Sequence, residues 1–266
     1  MKQRIISAIL ACLILIPILI MGGVIFNMVM LTLGMIGLHE LIKVRENKKE
    51  FPLFVKSISY IYLAVLIIES FGNNDIVFNF DYRLLSLTIL CTAIPLVLYH
   101  DHNKYNINDV MYLLVSTILI GLSFNLIIII RNIDLLIIIY LIIITVMTDT
   151  YAYIGGVLSG RNKLVPSISP NKTVEGLVVG TVFGTLIACV FYYIKINDSI
   201  NINQLIYITL FLSIIGQFGD LVFSSIKRYY GIKDFSNIMP GHGGLLDRID
   251  SIIFVLIGYL FFIHMI

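Results

Sequence analysis

Residues 110–154 read VMYLLVSTILIGLSFNLIIIIRNIDLLIIIYLIIITVMTDTYAYI. Arg131 and Asp134 interrupt an otherwise apolar run and leave a stretch of about 20 residues on either side. At 1.5 Å rise per residue, each is long enough to cross about 30 Å of hydrocarbon as a helix. A helix satisfies every backbone N–H and C=O within itself, which is why lipid tolerates it.

Outward from this pair, similar runs lie near 5–21, 23–42, 57–72, 82–99, 175–195, 204–223 and 249–266. Together with 110–130 and 134–154 they predict an all-α polytopic membrane protein of about nine transmembrane helices. Gly22 and Gly23, after Pro17, divide the first two. Lys2 and Arg4 precede the first run as in a secretion signal. No small-x-small cleavage site ends that run, so a retained helix is expected. Composition agrees: 59% of the 266 residues are hydrophobic and 13% charged, against roughly 25% charged in soluble domains. A soluble core of this size cannot bury so much apolar surface, which excludes a soluble globular enzyme, a disordered chain and a disulfide scaffold. The net charge of +2 gives no reason to expect nucleic acid as a partner. Cys12, Cys91 and Cys189 sit in apolar runs and read as small buried hydrophobes. Tryptophan is absent, so the interfacial aromatic belt falls to 15 tyrosines.

The loops orient the spans. With the N-terminus cytoplasmic, the inner segments are 1–4, 43–56, 100–109, 155–174 and 224–248. They hold all but three (Arg83, Arg131 and Lys195) of the 18 Lys and Arg residues. The positive-inside rule asks for this asymmetry. It places the chain in the cell membrane as a multi-pass protein with its C-terminus outside. The whole of 1–266 is expected to form one integral membrane domain. Residues 1–133 would mainly anchor it or shape a lipid pocket, and 134–266 would carry the site.

Polar residues are few in the first half: His39-Glu40, Glu69 and the loop His100-Asp101-His102. The loop reads either as a metal site or as a short solvated turn. Glu40 is expected to reach the membrane interface beside Lys43. The second half holds three constellations at the inner ends of its helices. The first runs from Asp149 and Tyr153 through Arg161 and Lys163 to Ser169, Lys172, Thr173 and Glu175. Asp149 lies within a span, where an ionised carboxylate is costly unless it is paired or faces water. Lys172-Thr173 before Glu175 resembles a helix start, which suits a phosphate, although an ordinary basic loop with a helix cap explains it equally well. The second constellation is the stripe Gln217, Asp220, Ser224, Lys227 and Arg228, at intervals of three or four along one helix side. It reads as a metal with its anionic ligand, or as an internal Asp220–Lys227 ion pair. The third runs from Lys233 through Gly241-His242-Gly243-Gly244 to Asp247, Arg248 and Asp250. Its glycines allow close backbone approach, and its paired acids suit magnesium and polyphosphate. Two acids in a first helical turn also suit the helix dipole without any ligand.

From Ser224-Ser225-Ile226-Lys227-Arg228 through Lys233-Asp234 to Pro240-Gly241-His242-Gly243-Gly244-Leu245-Leu246-Asp247-Arg248-Ile249-Asp250, the chain resembles the signature of the phosphatidate cytidylyltransferase (CDP-diacylglycerol synthase) family. The Asp149–Tyr153 and Ser169–Gly176 segments also look like that family's, in the same order. The likeness is close over the second half and rests on hydrophobic character in the first. It implies that CTP and phosphatidate give CDP-diacylglycerol and diphosphate, with Mg2+ required and a second cation an open question. It implies Asp220 and Asp247 as metal ligands, with Asp149 and Asp250 beside them. Lys227, Arg228 and Arg248 would act on phosphate oxygens with His242 as a donor. Arg161, Ser169, Lys172, Thr173, Ser224, Lys233, Gly243 and Gly244 would contact substrates. The implied site faces the cytoplasm, where soluble CTP meets a lipid headgroup. A homodimer remains a candidate assembly. The other readings are a CTP-dependent lipid or polyprenol kinase, a cytidylyltransferase for another lipid phosphate, and an ion-coupled transporter using Asp149 and Asp220.

Overall fold

The computed structural model describes residues 2–71, 82–99, 101, 104–196, 200–239, 241 and 243–262. Among them nine α-helices follow in order: α1 (Lys2–Met21), α2 (Gly23–Glu46), α3 (Leu53–Ile68), α4 (Tyr82–Leu98), α5 (Ile107–Ile133), α6 (Leu135–Ser159), α7 (Val174–Lys195), α8 (Ile202–Tyr229) and α9 (Leu246–Tyr259). Two short strands, β1 (Lys163–Val165) and β2 (Ser169–Thr173), stand between α6 and α7. Five helices, α2 and α5 to α8, are long and apolar enough to cross a membrane. The 28 residues of α8 extend about 42 Å, whereas the 14 of α9 extend about 21 Å.

Helix ends depart from the expected spans for a physical reason: hydropathy marks where lipid ends, not where the helix ends. The sixth and eighth spans were expected to stop at 154 and 223, but α6 and α8 run on to Ser159 and Tyr229. That extension makes Ser224, Lys227 and Arg228 helical. In the third span, expected at 57–72, Pro52 precedes a helix that begins at Leu53 and ends at Ile68. The last, expected at 249–266, gives way after Tyr259 to a 3-10 turn over Leu260–Phe262. The β1–β2 hairpin was not foreseen in the 155–174 loop.

Contacts group the chain into two compact units. One comprises Met1–Ile133 with Asp234–Leu246, the other Asp134–Lys233 with Asp247–Ile266. The first unit packs α2, α3 and α5 around Phe26, Leu38, Leu63, Ile67, Leu113, Ile120 and Phe124, all buried. Polar groups lock it at named points. Asp109, in the first turn of α5, is fully buried and pairs with Arg45 and with Lys49, the latter at 2.8 Å. Removing one partner from such a buried cluster costs about 3–5 kcal/mol, because the remaining charge stays desolvated. Arg131 donates to the carbonyls of Leu19 at 3.0 Å and Ile20 at 2.7 Å, groups that the end of α1 leaves without helical partners.

In the second unit α6 and α7 pack through small residues. A Cβ at Gly184 would lie 2.3 Å from the Thr148 hydroxyl, and one at Gly180 would lie 2.7 Å from the Ala152 methyl. Close backbone approach of this kind drives helix association where lipid is as apolar as the side chains. Hydroxyls then bridge helices: Tyr140 with Thr209 at 2.6 Å, Thr148 with Ser213 at 2.7 Å, and the Gln217 amide to Thr181 at 2.9 Å. Each such bond contributes about 0.6 kcal/mol inside a membrane protein.

Candidate functional site

The second unit gathers most of the chemistry, beginning at the hairpin. β1 and β2 pair antiparallel with Lys163 opposite Thr173 and Val165 opposite Ser169. Thr173 then caps α7, its hydroxyl accepting from the Gly176 N–H at 3.1 Å. Glu175 turns back so that its carboxylate accepts from the N–H groups of Arg161 and Asn162, both at 3.1 Å, and from the Asn162 amide at 2.8 Å. The hairpin is thereby fixed to the helix start, and Lys172 is held on β2.

Lys172 forms an ion pair with Asp220 of α8, each side chain 28% exposed. Ser224, one turn further along α8, donates to Asp220 Oδ1 at 3.2 Å. Lys227, another turn on, is buried and donates to Asp247 Oδ1 at 2.6 Å, the two side chains 10% and 3% exposed. Asp149 of α6 accepts from the Ser251 hydroxyl and has Asp220 and Lys172 as electrostatic neighbours. Asp250 has Asp220, Lys227 and Asp149 around it and accepts from the Ser251 N–H at 2.9 Å. Beyond Asp149, a narrow cleft is lined by Thr145, Thr148, Ser213 and Gln217.

Four carboxylates thus share their surroundings with two ammonium groups, an excess of negative charge. On its own that excess repels a polyphosphate, and a hard divalent cation between them would offset the repulsion. Magnesium takes one or two carboxylates and completes its shell with water and substrate phosphate oxygens. Among the described residues no three His, Cys, Asp or Glu side chains already converge on one metal position. An ion with that habit needs no such cage, so the donor set fits it.

The sequence profile of the cytidylyltransferase family matches residues 2–266. The chain belongs to that family. It is 36% identical over 260 residues to the phosphatidate cytidylyltransferase of Bacillus subtilis, covering 96% of this chain and 95% of that protein. The phosphatidate cytidylyltransferase of Staphylococcus haemolyticus is 36% identical over 257 residues, and that of Staphylococcus saprophyticus 35% over 263, each covering 96% of both chains.

In this cytidylyltransferase-family chain, the expected site residues Asp149, Lys172, Asp220, Ser224, Lys227, Asp247 and Asp250 all belong to the second unit and are tied together by the contacts above. The simple Asp220–Lys227 pair is not what forms. Asp220 takes Lys172 from the hairpin, and Lys227 takes Asp247 from α9. Arg228 is exposed and commits two donors to the carbonyls of Ile168 at 3.2 Å and Ile232 at 3.0 Å, which ties the hairpin turn to the loop after α8. Arg161, Lys233 and Arg248 are exposed, Ser169 is half-buried on β2, and Thr173 is buried with its hydroxyl engaged in the cap. Gly243 and Gly244 belong to the first unit, where Met239 and Gly243 exchange backbone hydrogen bonds of 2.9 and 3.1 Å. Gly243 there adopts φ of 89°, which only glycine takes without strain. His242, and His100 and His102 of the N-terminal loop, lie outside the described residues.

Sequence reasoning did not name Ser251, and it named Glu175 and Glu40 without giving either a place in the site. Ser251 had a usable signal, since it follows Asp247 by four positions and so shares its helix face. Glu175 was legible only as part of a helix start. Glu40, expected at the interface, is instead fully buried; nothing local in sequence announces partners some 200 positions away.

Proposed function

We propose that the chain is a phosphatidate cytidylyltransferase, joining CTP and phosphatidate to give CDP-diacylglycerol and diphosphate. The observation that carries this reading is the pair of cross-element ion pairs, Lys172–Asp220 and Lys227–Asp247, set among Asp149 and Asp250. It supplies cations for phosphate oxygens and carboxylates for a metal in one place. The phosphate oxygen of phosphatidate attacks the α-phosphorus of CTP. That O–P bond forms as the bond to the bridging oxygen breaks, and diphosphate leaves. A phosphate monoester is already ionised near neutral pH, so no general base is required. The protein's work is to orient the two phosphates in line and to neutralise their charge.

Lys172 and Lys227 share their ammonium protons between site carboxylates and substrate oxygens, and Arg228 and Arg248 lie on the same stretch of chain to add donors. Ser224 keeps Asp220 in its rotamer. Asp220 and Asp247, with Asp149 and Asp250 nearby, would hold Mg2+. Bound there, the ion would supply positive charge to offset that of the phosphates. Arg161, Ser169, Lys233, Gly243 and His242 complete the proposed substrate contacts. The proposal includes nine spans, a cytoplasmic N-terminus, an outer C-terminus and a site open to the cytoplasm, supported by the distribution of Lys and Arg.

A coupled assay for diphosphate tests the reading. Release should require both CTP and phosphatidate, and release of CDP with a polyprenol acceptor would replace it with a lipid kinase.

A further inference from the structure

Glu40 lies on α2 in the first unit and is fully buried. Its carboxylate accepts from donors in the 234–246 segment of the same unit, of which three are among the described residues. Oε1 accepts from the Leu245 N–H at 2.8 Å and from the Ser236 hydroxyl at 2.5 Å, and Oε2 accepts from the Leu246 N–H at 2.8 Å. Leu246 is the first residue of α9. One side chain from α2 therefore does the work of an N-cap for a helix far along the chain. It satisfies N–H groups that a helix start leaves without partners and places negative charge at the positive end of its dipole. By holding Ser236 as well, it fixes both ends of the glycine-rich loop.

Gly244 is the second part of this arrangement. A Cβ at that position would lie 2.5 Å from Glu40 Oε1 and 2.8 Å from both Cδ and Oε2. The carboxylate is pinned by three hydrogen bonds and has no cheap way to withdraw. Glycine is needed at 244 because the Glu40 carboxylate occupies the space a side chain would take.

We propose that Glu40 is a positioning residue for cytidylyl transfer: it sets the start of α9, and with it the placement of Asp247 in the first turn and Asp250 one turn later, while Gly244 leaves room for its carboxylate. This rests on the function proposed above.

The test is a mutant cycle on the purified full-length chain, read by thermal midpoint from circular dichroism and by kcat and KM for CTP. Glu40→Gln keeps the shape but loses the charge and one acceptor, and should lower kcat about tenfold or more with KM for CTP little changed. Gly244→Ala should lower both midpoint and kcat. In a Glu40→Ala background the same Gly244→Ala change should cost nothing further, since the group it strikes has gone. If Glu40→Ala does not yield folded protein, Glu40→Ser provides the background. An equal Gly244→Ala penalty in both backgrounds, or a penalty confined to KM for CTP, would mean that Gly244 meets the nucleotide instead and would overturn the proposal. So would wild-type kcat in Glu40→Gln. The midpoint cycle decides the Glu40–Gly244 contact without any turnover. Failure of the wild-type chain to convert CTP and phosphatidate would therefore count against the function alone.

Discussion

Replacing Asp247 by Asn removes the carboxylate from an ion pair that water barely reaches. Lys227 Nζ and Asp247 Oδ1 are 2.6 Å apart, with side chains 10% and 3% exposed. At that separation and an effective dielectric constant of about 20, the Coulomb attraction is about 6 kcal/mol. Desolvation offsets most of it when the pair forms, so the pair's net contribution is small. Breaking it is another matter: taking one partner from a buried pair costs about 3–5 kcal/mol, because the other charge cannot return to water. Each kcal/mol lowers the midpoint of a domain this large by about 2–4 °C, so Asp247→Asn should fall by about 6–20 °C. The lower end is expected, since the Asn carbonyl still accepts a neutral hydrogen bond. Lys227→Met, which leaves Asp247 without that ammonium group, should fall further. Lys227→Met with Asp247→Asn removes both charges and should be more stable than either single variant. All three should lose about 100-fold or more in kcat, as groups that stabilise transition-state charge do. Circular dichroism at 222 nm follows the helices directly. A double variant whose midpoint drops by the sum of the single losses would refute the pair, as would an Asp247→Asn midpoint equal to wild type.

The Lys172–Asp220 pair is more open, each side chain 28% exposed, so Lys172→Met should change stability by less than about 1 kcal/mol while lowering kcat at least tenfold. Arg at that position should recover only part of the rate. Chelation by EDTA should abolish turnover and added magnesium restore it; activity indifferent to EDTA would remove the metal from the mechanism. A reporter fused after Ile266 should register on the outer face of the membrane, and a cytoplasmic signal would break the nine-span count.

The helices were legible because lipid imposes a length and a composition that few other environments share. Each expected span has an α-helix at its place among the described residues, with ends displaced where a helix continues past its apolar run, as α8 does to Tyr229. The candidate site residues stood out in the sequence for a related reason. In a chain with so few charges, Asp149, Lys172, Asp220, Lys227, Asp247 and Asp250 stand out, and burying each has a cost that only a partner or a function offsets. Which cation meets which carboxylate was not legible. Helical spacing offered Lys227 to Asp220, but the hairpin delivers Lys172 there, and that hairpin gave no signal beyond a basic, glycine-bounded loop. Glu40 shows the same limit: its helix was evident and its burial was not, because its donors come from the other end of the chain.

The central claim is that this site transfers a cytidylyl group to a lipid phosphate, and the position of the label in CTP tests it most directly. Purified chain, phosphatidate and magnesium would be given CTP carrying 32P at either the α or the γ phosphate. The account predicts that only the α label enters lipid, in a product of the mass of CDP-diacylglycerol, while the γ label leaves as diphosphate. Label entering lipid from the γ position would contradict it.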